Sequence, residues 1–277
     1  GLSDAQMDDY VHSNALSGLT GDQGTALLTL LRSRQSSIFS ISHIPINLQL
    51  LCYLWRDEEV RVRETIHQGS LPLLYQHLTE YIWDRYQERR KAASQGSSIQ
   101  EPDRDVLFDM LGQLAFTSLR AGKLLMSPLL IEQAIGTSNA ATLATLEDAG
   151  FLLLQFLRGN NKYQFPHLTF QEYFAGRHLA KLWTSAQPSD RELAERFFIE
   201  EGYTAKYGRT FSFMAGALSN AHGLAGIRPL LDLCKQKRQA DLAALSSRNE
   251  DTEDAMESSR LSYLLLQLRL LNEWLTT

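Results

Sequence analysis

His167 stands at a corner defined from both sides. Tyr163 to Phe165 alternates like the end of a strand, and Leu168-Thr169-Phe170-Gln171-Glu172-Tyr173 reads as the start of a helix. An imidazole at such a junction can donate or accept a hydrogen bond, and taken alone it reads as a structural hydrogen-bonding group. Thr169 can cap the first turn while Glu172 reaches back to its amide, with Leu168 and Tyr173 as the hydrophobic staple. Gln171 and Glu172 then read as capping and packing groups. Arg85, Arg89, Arg90 and Lys91 gather where a helix C-terminus would favour cations. They read as a solvated helix end, with phosphate binding the weaker alternative. The 7 histidines are scattered, which argues against a metal site. Cys52 and Cys234 lie inside apolar helical runs and read as buried thiols of a reducing compartment, not as a disulfide framework. Gly18-Leu19-Thr20-Gly21-Asp22 and Gly24 lack the Lys-Ser/Thr ending of a phosphate loop. No hydrophobic strand ends in paired acids, and no H-E-x-x-H, C-x-x-C or G-x-S-x-G occurs. The chain is therefore not expected to be an enzyme.

The elements that position these residues are mostly helices. Ser3 with Gln6 forms a capping box, Leu2 and Met7 its staple, and Met7, Tyr10, Val11 and Ala15 a buried stripe. A second helix starts near Thr20, again with a glutamine at position 23, and buries Leu27, Leu28, Leu30 and Leu31. Ser36 to His43 reads as a polar, irregular connection. Pro45 opens the next helix, where a missing N–H costs nothing. Ile46, Leu48, Leu50, Leu51, Leu54 and Trp55 make that helix apolar nearly all round, hence central. Ser70 caps a long helix with Leu71, Leu74, Tyr75, Leu78, Ile82, Trp83 and Tyr86 on or near its buried face. Residues 92–104 read as a mobile loop.

Residues 105–166 read as three helices and a hairpin, a winged helix. The first helix turns Val106, Leu107, Met110, Leu111, Leu114 and Leu119 inward, Ser127-Pro128 starts the second, and Ser138 the third. The third points Leu143 and Leu146 inward and stops at Gly150. Phe151 to Leu157 is a compact apolar run, Gly159-Asn160-Asn161 a turn, and Tyr163 to Phe165 the returning strand. Beyond Trp183, residues 184–189 read as a linker. Ser189 with Glu192 forms another capping box ahead of Leu193, Phe197 and Phe198. A helix follows at Ile227–Cys234, then an acidic loop from Arg248 to Ser259. A last helix, Arg260 to Trp274, is apolar enough to need cover from this chain or from a continuation of it.

Phe165-Pro166-His167-Leu168-Thr169-Phe170-Gln171-Glu172-Tyr173-Phe174-Ala175 resembles the end of the winged-helix domain in NACHT proteins, a branch of the STAND signalling NTPases. The opening Gly-Leu-Ser with Tyr10, and Ile44-Pro45-Ile46-Asn47-Leu48-Gln49-Leu50-Leu51-Cys52, resemble the first helical domain of that family. Tyr207 to Leu218 resembles, more loosely, an element of its second helical domain. The resemblance implies a mainly α chain in three parts: helical domain 1 over residues 1–62, a winged-helix domain with a small β-hairpin wing over 63–183, and helical domain 2 over 184–277. It also implies that this is the segment after a nucleotide-binding domain, cut out or truncated. In the family the position of His167 contacts the diphosphate, and that of Pro45 lies against the base. ADP or ATP would bind only together with the missing domain. Exchange would free the segment to expose an oligomerisation face, and the C-terminal helices would carry protein partners.

Bulk properties set outer limits. A chain of 277 residues, 44% hydrophobic and 21% charged, with a net charge of −5, is ordinary for a soluble globular protein and long enough for a substantial core. No apolar run spans a membrane, and the N-terminus does not read as a signal peptide. The expected location is the cytoplasm, including that of a host cell. Winged helices often bind DNA, but the third helix holds Glu147 and Asp148 and no Lys or Arg, so no nucleic acid is expected. The alternative to the switch is a helical scaffold that binds protein partners without nucleotide control.

Overall fold

Helix starts follow the capping residues. In the computed structural model, which describes residues 1–33, 37–93, 103–136, 140–157, 160–202 and 204–246, the Ser3 hydroxyl accepts the Gln6 N–H at 3.3 Å. Gln6 Oε1 accepts the Ser3 N–H at 2.8 Å. This capping box opens α1 (Asp4–His12), which buries Met7 and Val11. Ala15, expected on the same stripe, is exposed, because α1 ends first and Ala15 sits on a separate short helix, α2 (Asn14–Ser17). Thr20 and Gln23 repeat the reciprocal pairing at the head of α3 (Gly21–Ser33), whose Leu27, Leu28, Leu30 and Leu31 are buried.

The stretch expected to be irregular before Pro45 contains a helix, α4 (Ser37–Ser42). Its serines are weak helix formers, but Ile38 and Ile41, three residues apart, are both buried, and burial of that face outweighs propensity. Pro45 is the first residue of α5 (Pro45–Gln68), as expected. This helix buries Leu48, Leu51, Cys52, Leu54 and Trp55, and is broken at Glu58, whose φ and ψ are −136° and 46°. Residues 62 and 63 lie within it. Ser70 accepts the Leu73 N–H at the start of α6 (Leu71–Ala93). Two ion-pair clusters flank the break: Asp57 accepts from Tyr81 and Arg85, each at 2.8 Å, and Arg61 reaches Glu58 at 3.0 Å and Glu80 at 2.6 Å.

Ala92 and Ala93 finish α6, and Asp103 caps α7 (Arg104–Arg120) by accepting the Asp105 and Val106 N–H groups. The rest of the expected mobile loop, 94–102, lies outside the described residues. Leu107, Leu111, Leu114 and Leu119 are buried, but Val106, expected to face inward, is 52% exposed. Val106 is in the first turn of α7, ahead of the stretch that packs. Ser127 caps α8 (Pro128–Ile135) through the Leu130 N–H, and Gly150, at φ 88°, follows α9 (Ala140–Asp148). The expected helix start at Ser138 lies outside the described residues. β1 (Leu153–Leu157) pairs antiparallel with β2 (Asn160–Gln164), Leu154 opposite Tyr163 and Phe156 opposite Asn161. Met126 bridges Tyr163 on the other side of β2. Asn160 and Asn161, expected in the turn, are strand residues; Gly159 is outside the described residues. The apolar run is buried only at Phe151 and Leu152, while Leu153, Leu154, Phe156 and Leu157 are exposed.

The remaining helices are α10 (Leu168–Trp183), α11 (Pro188–Glu201), α12 (Gly208–His222) and α13 (Leu224–Ser246), with a 3-10 turn at Ala205–Tyr207. Pro188 is the first residue of α11, so Ser189 is already helical and the expected Ser189–Glu192 box does not form; Gln187 is the N-cap, without a side-chain bond. Phe197 and Phe198 are buried as expected, ring against Phe211. The helix expected from Ile227 to Cys234 runs longer at both ends, with Pro229 inside it. The acidic stretch 248–259 and the apolar helix 260–274 lie outside the described residues.

The described fold is thus mainly helical with one two-stranded antiparallel sheet. It divides into two compact units, one of Gly1–Leu107 with Leu124–Phe170, the other of Phe108–Lys123 with the described residues from Gln171 on. In the second unit α10 lies close against α12 at Gly176. A Cβ there would stand 2.6 Å from the Phe213 Cβ and 2.7 Å from the Thr210 carbonyl oxygen. The Gly176→Ala variant is expected to lose ~1–3 kcal/mol of stability by overpacking, read from its denaturant midpoint.

In the first unit His77 is buried against the Thr65 hydroxyl, 3.1 Å from Nδ1. Burial, with Arg61 nearby, pushes this imidazole down from 6.5 to about 4. An unfolded chain binds the proton near 6.5 and the folded one only near 4, so stability is full above pH 6.5 and falls as the pH drops through that window. The expected slope reaches about 1.4 kcal/mol per pH unit at its steepest. Urea titrations at pH 7, 6 and 5 check it: His77→Gln should flatten the dependence, and an unchanged slope would remove His77 as its source.

Candidate functional site

Pro45 and His167 both lie in the first unit, as does the part of the second motif up to Phe170. Pro45 itself is exposed. Two residues on, Asn47 is 1% exposed, although it lies in an apolar helix start. Burying an amide without partners is costly, so its bonds must be found within the protein. Its Nδ2 donates to the Ile41 carbonyl at 3.3 Å, and its Oδ1 accepts from the Tyr75 hydroxyl at 3.2 Å. The Tyr75 hydroxyl also bonds the Thr169 hydroxyl, and its ring meets Phe170 edge-on, centroids 5.2 Å apart. Thr169 Oγ1 lies 3.1 Å from His167 Nδ1. One hydrogen-bonded chain therefore runs from Ile41 through Asn47, Tyr75 and Thr169 to His167.

His167 also receives the Thr169 backbone N–H on Nδ1, at 3.2 Å, and its carbonyl accepts the Phe170 N–H at 3.1 Å. A ring nitrogen that accepts carries no proton, so the neutral imidazole holds its proton on Nε2. His167 is half-buried and acts as the cap of α10. The expected Thr169–Glu172 capping box is not what forms. Thr169 is fully buried with its hydroxyl engaged by Tyr75 and His167, Glu172 pairs with Arg209, and Leu168 is 38% exposed instead of stapled.

In the second unit Gln171 and Glu172 are packing groups. Gln171, 1% exposed, donates to the Ser118 hydroxyl at 2.8 Å and the Lys123 carbonyl at 3.1 Å, closing the end of α7. Glu172 meets Arg209 at 2.8 Å. Burial pushes the Glu172 carboxyl above its usual range, and Arg209 opposes that shift.

The other candidate groups are structurally committed. Arg85 bonds Asp57 and Glu88, and Arg89 donates to the Asp148 carbonyl at the end of α9. Burial pushes both Cys52 and Cys234 up to about 12, which keeps them protonated and unreactive. No group of metal-ligating side chains occurs among the described residues. Sequence reasoning missed Asn47 and Tyr75 as polar groups. The available signal was a single amide inside an otherwise apolar helix start, which must find a partner once buried.

Fold and site together define a mainly helical protein with a small antiparallel sheet, whose two motif-bearing stretches meet through one buried hydroxyl. No family model matches the chain, and no curated protein matches it. Tyr75→Phe keeps the ring against Phe170 but strips a partner from both Asn47 and Thr169. It is expected to cost ~1–3 kcal/mol, measured by chemical denaturation; a change below a few tenths would mean that the hydroxyl is dispensable to the fold.

Proposed function

We propose that this chain is the regulatory segment of a NACHT-type STAND signalling switch, the part that follows the nucleotide-binding domain. The observation that carries the reading is the hydrogen-bonded chain from Asn47 to His167. It links, within the first unit, the helix start at Pro45 to the His167 corner, one from each of the two stretches on which the resemblance rests, and it leaves Pro45 exposed at the head of α5. The order of three helices, α7 to α9, and then the β1–β2 hairpin supports a winged helix between a first and a second helical domain. In this reading the segment is not itself an enzyme. It helps its own nucleotide-binding domain to clamp ADP, with His167 meeting the diphosphate through a hydrogen bond and Pro45 packing against the base. Release of that clamp relays the nucleotide state to self-association, and the C-terminal helices bind protein partners. α9 carries Glu147 and Asp148 at its end, which supports a winged helix used for protein contacts instead of DNA. A cytoplasmic site of action belongs to the same reading; no described helix is long and apolar enough to cross a membrane.

A second reading, a helical scaffold without nucleotide control, draws on the exposed apolar side of the hairpin region. Phe156 is 73% exposed, Leu154 47% and Leu129 61%, and such surface marks contact sites for other proteins.

Calorimetry of ADP binding separates the two, using the parent chain with its N-terminal domain present and the His167→Ala variant. The switch predicts binding by the parent and a loss of about tenfold, near 1.4 kcal/mol, in the variant. Equal binding by both would make His167 architectural. A parent chain that ignores ADP would sink the switch and favour the scaffold.

A further inference from the structure

The switch reading uses His167 and Pro45 but gives no role to what lies between them. We propose that Tyr75 is a positioning residue that couples His167 to the start of α5. The geometry leaves the intermediate groups few choices. Tyr75 and Thr169 are fully buried and Asn47 is 1% exposed, so water does not stand in for a lost partner. Each hydroxyl owns one proton. His167 Nδ1 is an acceptor whose one lone pair is shared by the Thr169 backbone N–H and the Thr169 hydroxyl, so that hydroxyl donates to it and accepts from Tyr75. The Tyr75 proton is then directed at Thr169, and the contact to Asn47 Oδ1 is the longer one, 3.2 Å.

When an anion draws the imidazole away from Thr169, the Thr169 hydroxyl loses that acceptor and turns its proton towards the Tyr75 oxygen. The Tyr75 proton is then released to Asn47. No proton changes its owner; two O–H groups rotate. Asn47 holds the Ile41 carbonyl just ahead of Pro45, so the state of His167 is felt at the head of α5 without a shift of whole helices. The regulatory meaning of this coupling rests on the reading of His167 as a phosphate-facing group; the coupling itself does not.

The test is the nitrogen and proton shift of the Asn47 side-chain amide, measured on the 277-residue chain without nucleotide. Four forms are compared: wild type, His167→Ala, Tyr75→Phe and the double variant. His167→Ala should move the Asn47 signal when tyrosine is at position 75 and leave it in place when phenylalanine is. No movement with tyrosine, or the same movement with phenylalanine, overturns the proposal. If His167→Ala does not fold, Thr169→Val removes the neighbouring hydroxyl and is read by the same two outcomes. A coupled pair in a protein whose parent ignores ADP would overturn the nucleotide reading and leave the coupling standing.

Discussion

A phenol hydroxyl buried away from water must find its partners in the protein, and in this chain that requirement falls on Tyr75. Its ring is fully enclosed and its oxygen meets an amide from α5 and a hydroxyl from the first turn of α10. Three segments far apart in sequence are thereby held in one register. Shape-compatible apolar side chains can often slide or repack at modest cost. A buried hydroxyl between two named acceptors is less tolerant, because a displaced partner leaves polar atoms unsatisfied. The first unit is therefore specified at this point by hydrogen-bond geometry as well as by apolar packing.

The segment from His167 to Phe174 shows how densely one short stretch can be used. His167 caps the helix with its own ring nitrogen, Thr169 joins the Tyr75 chain, and Phe170 packs beside that phenol. Within the second unit, Gln171 closes α7, Glu172 pairs with Arg209, Tyr173 lies against Phe213, and Phe174 against Phe108. Successive residues of a helix point in different directions, so each can serve a different neighbour. Such a stretch tolerates few substitutions for purely physical reasons.

Cationic and nucleophilic groups elsewhere offer little reactive chemistry among the described residues. Arg61, Arg85 and Arg209 each meet a carboxylate, and the thiols are enclosed. What the surface does offer is apolar area on the β1 strand, where side chains of both faces remain exposed.

The sequence by itself determined the local elements: the caps at Ser3, Thr20, Ser70 and Ser127, the proline start of α5, the glycine stop after α9 and the hairpin. These depend on partners three or four residues away, and the residues concerned make the same bond wherever the helix is placed. Reading failed where a local preference competed with a distant partner. Ser37–Ser42 lacks helix propensity but gains burial at Ile38 and Ile41. Glu172 could have closed a capping box with Thr169, but a guanidinium 37 residues away holds it instead. The link from Tyr75 spans 28 residues to Asn47 and 94 to Thr169, and no periodicity in the chain announces it. Only the tertiary structure decided which buried polar groups meet, because that choice is set by where helices pack and not by what their own sequence favours.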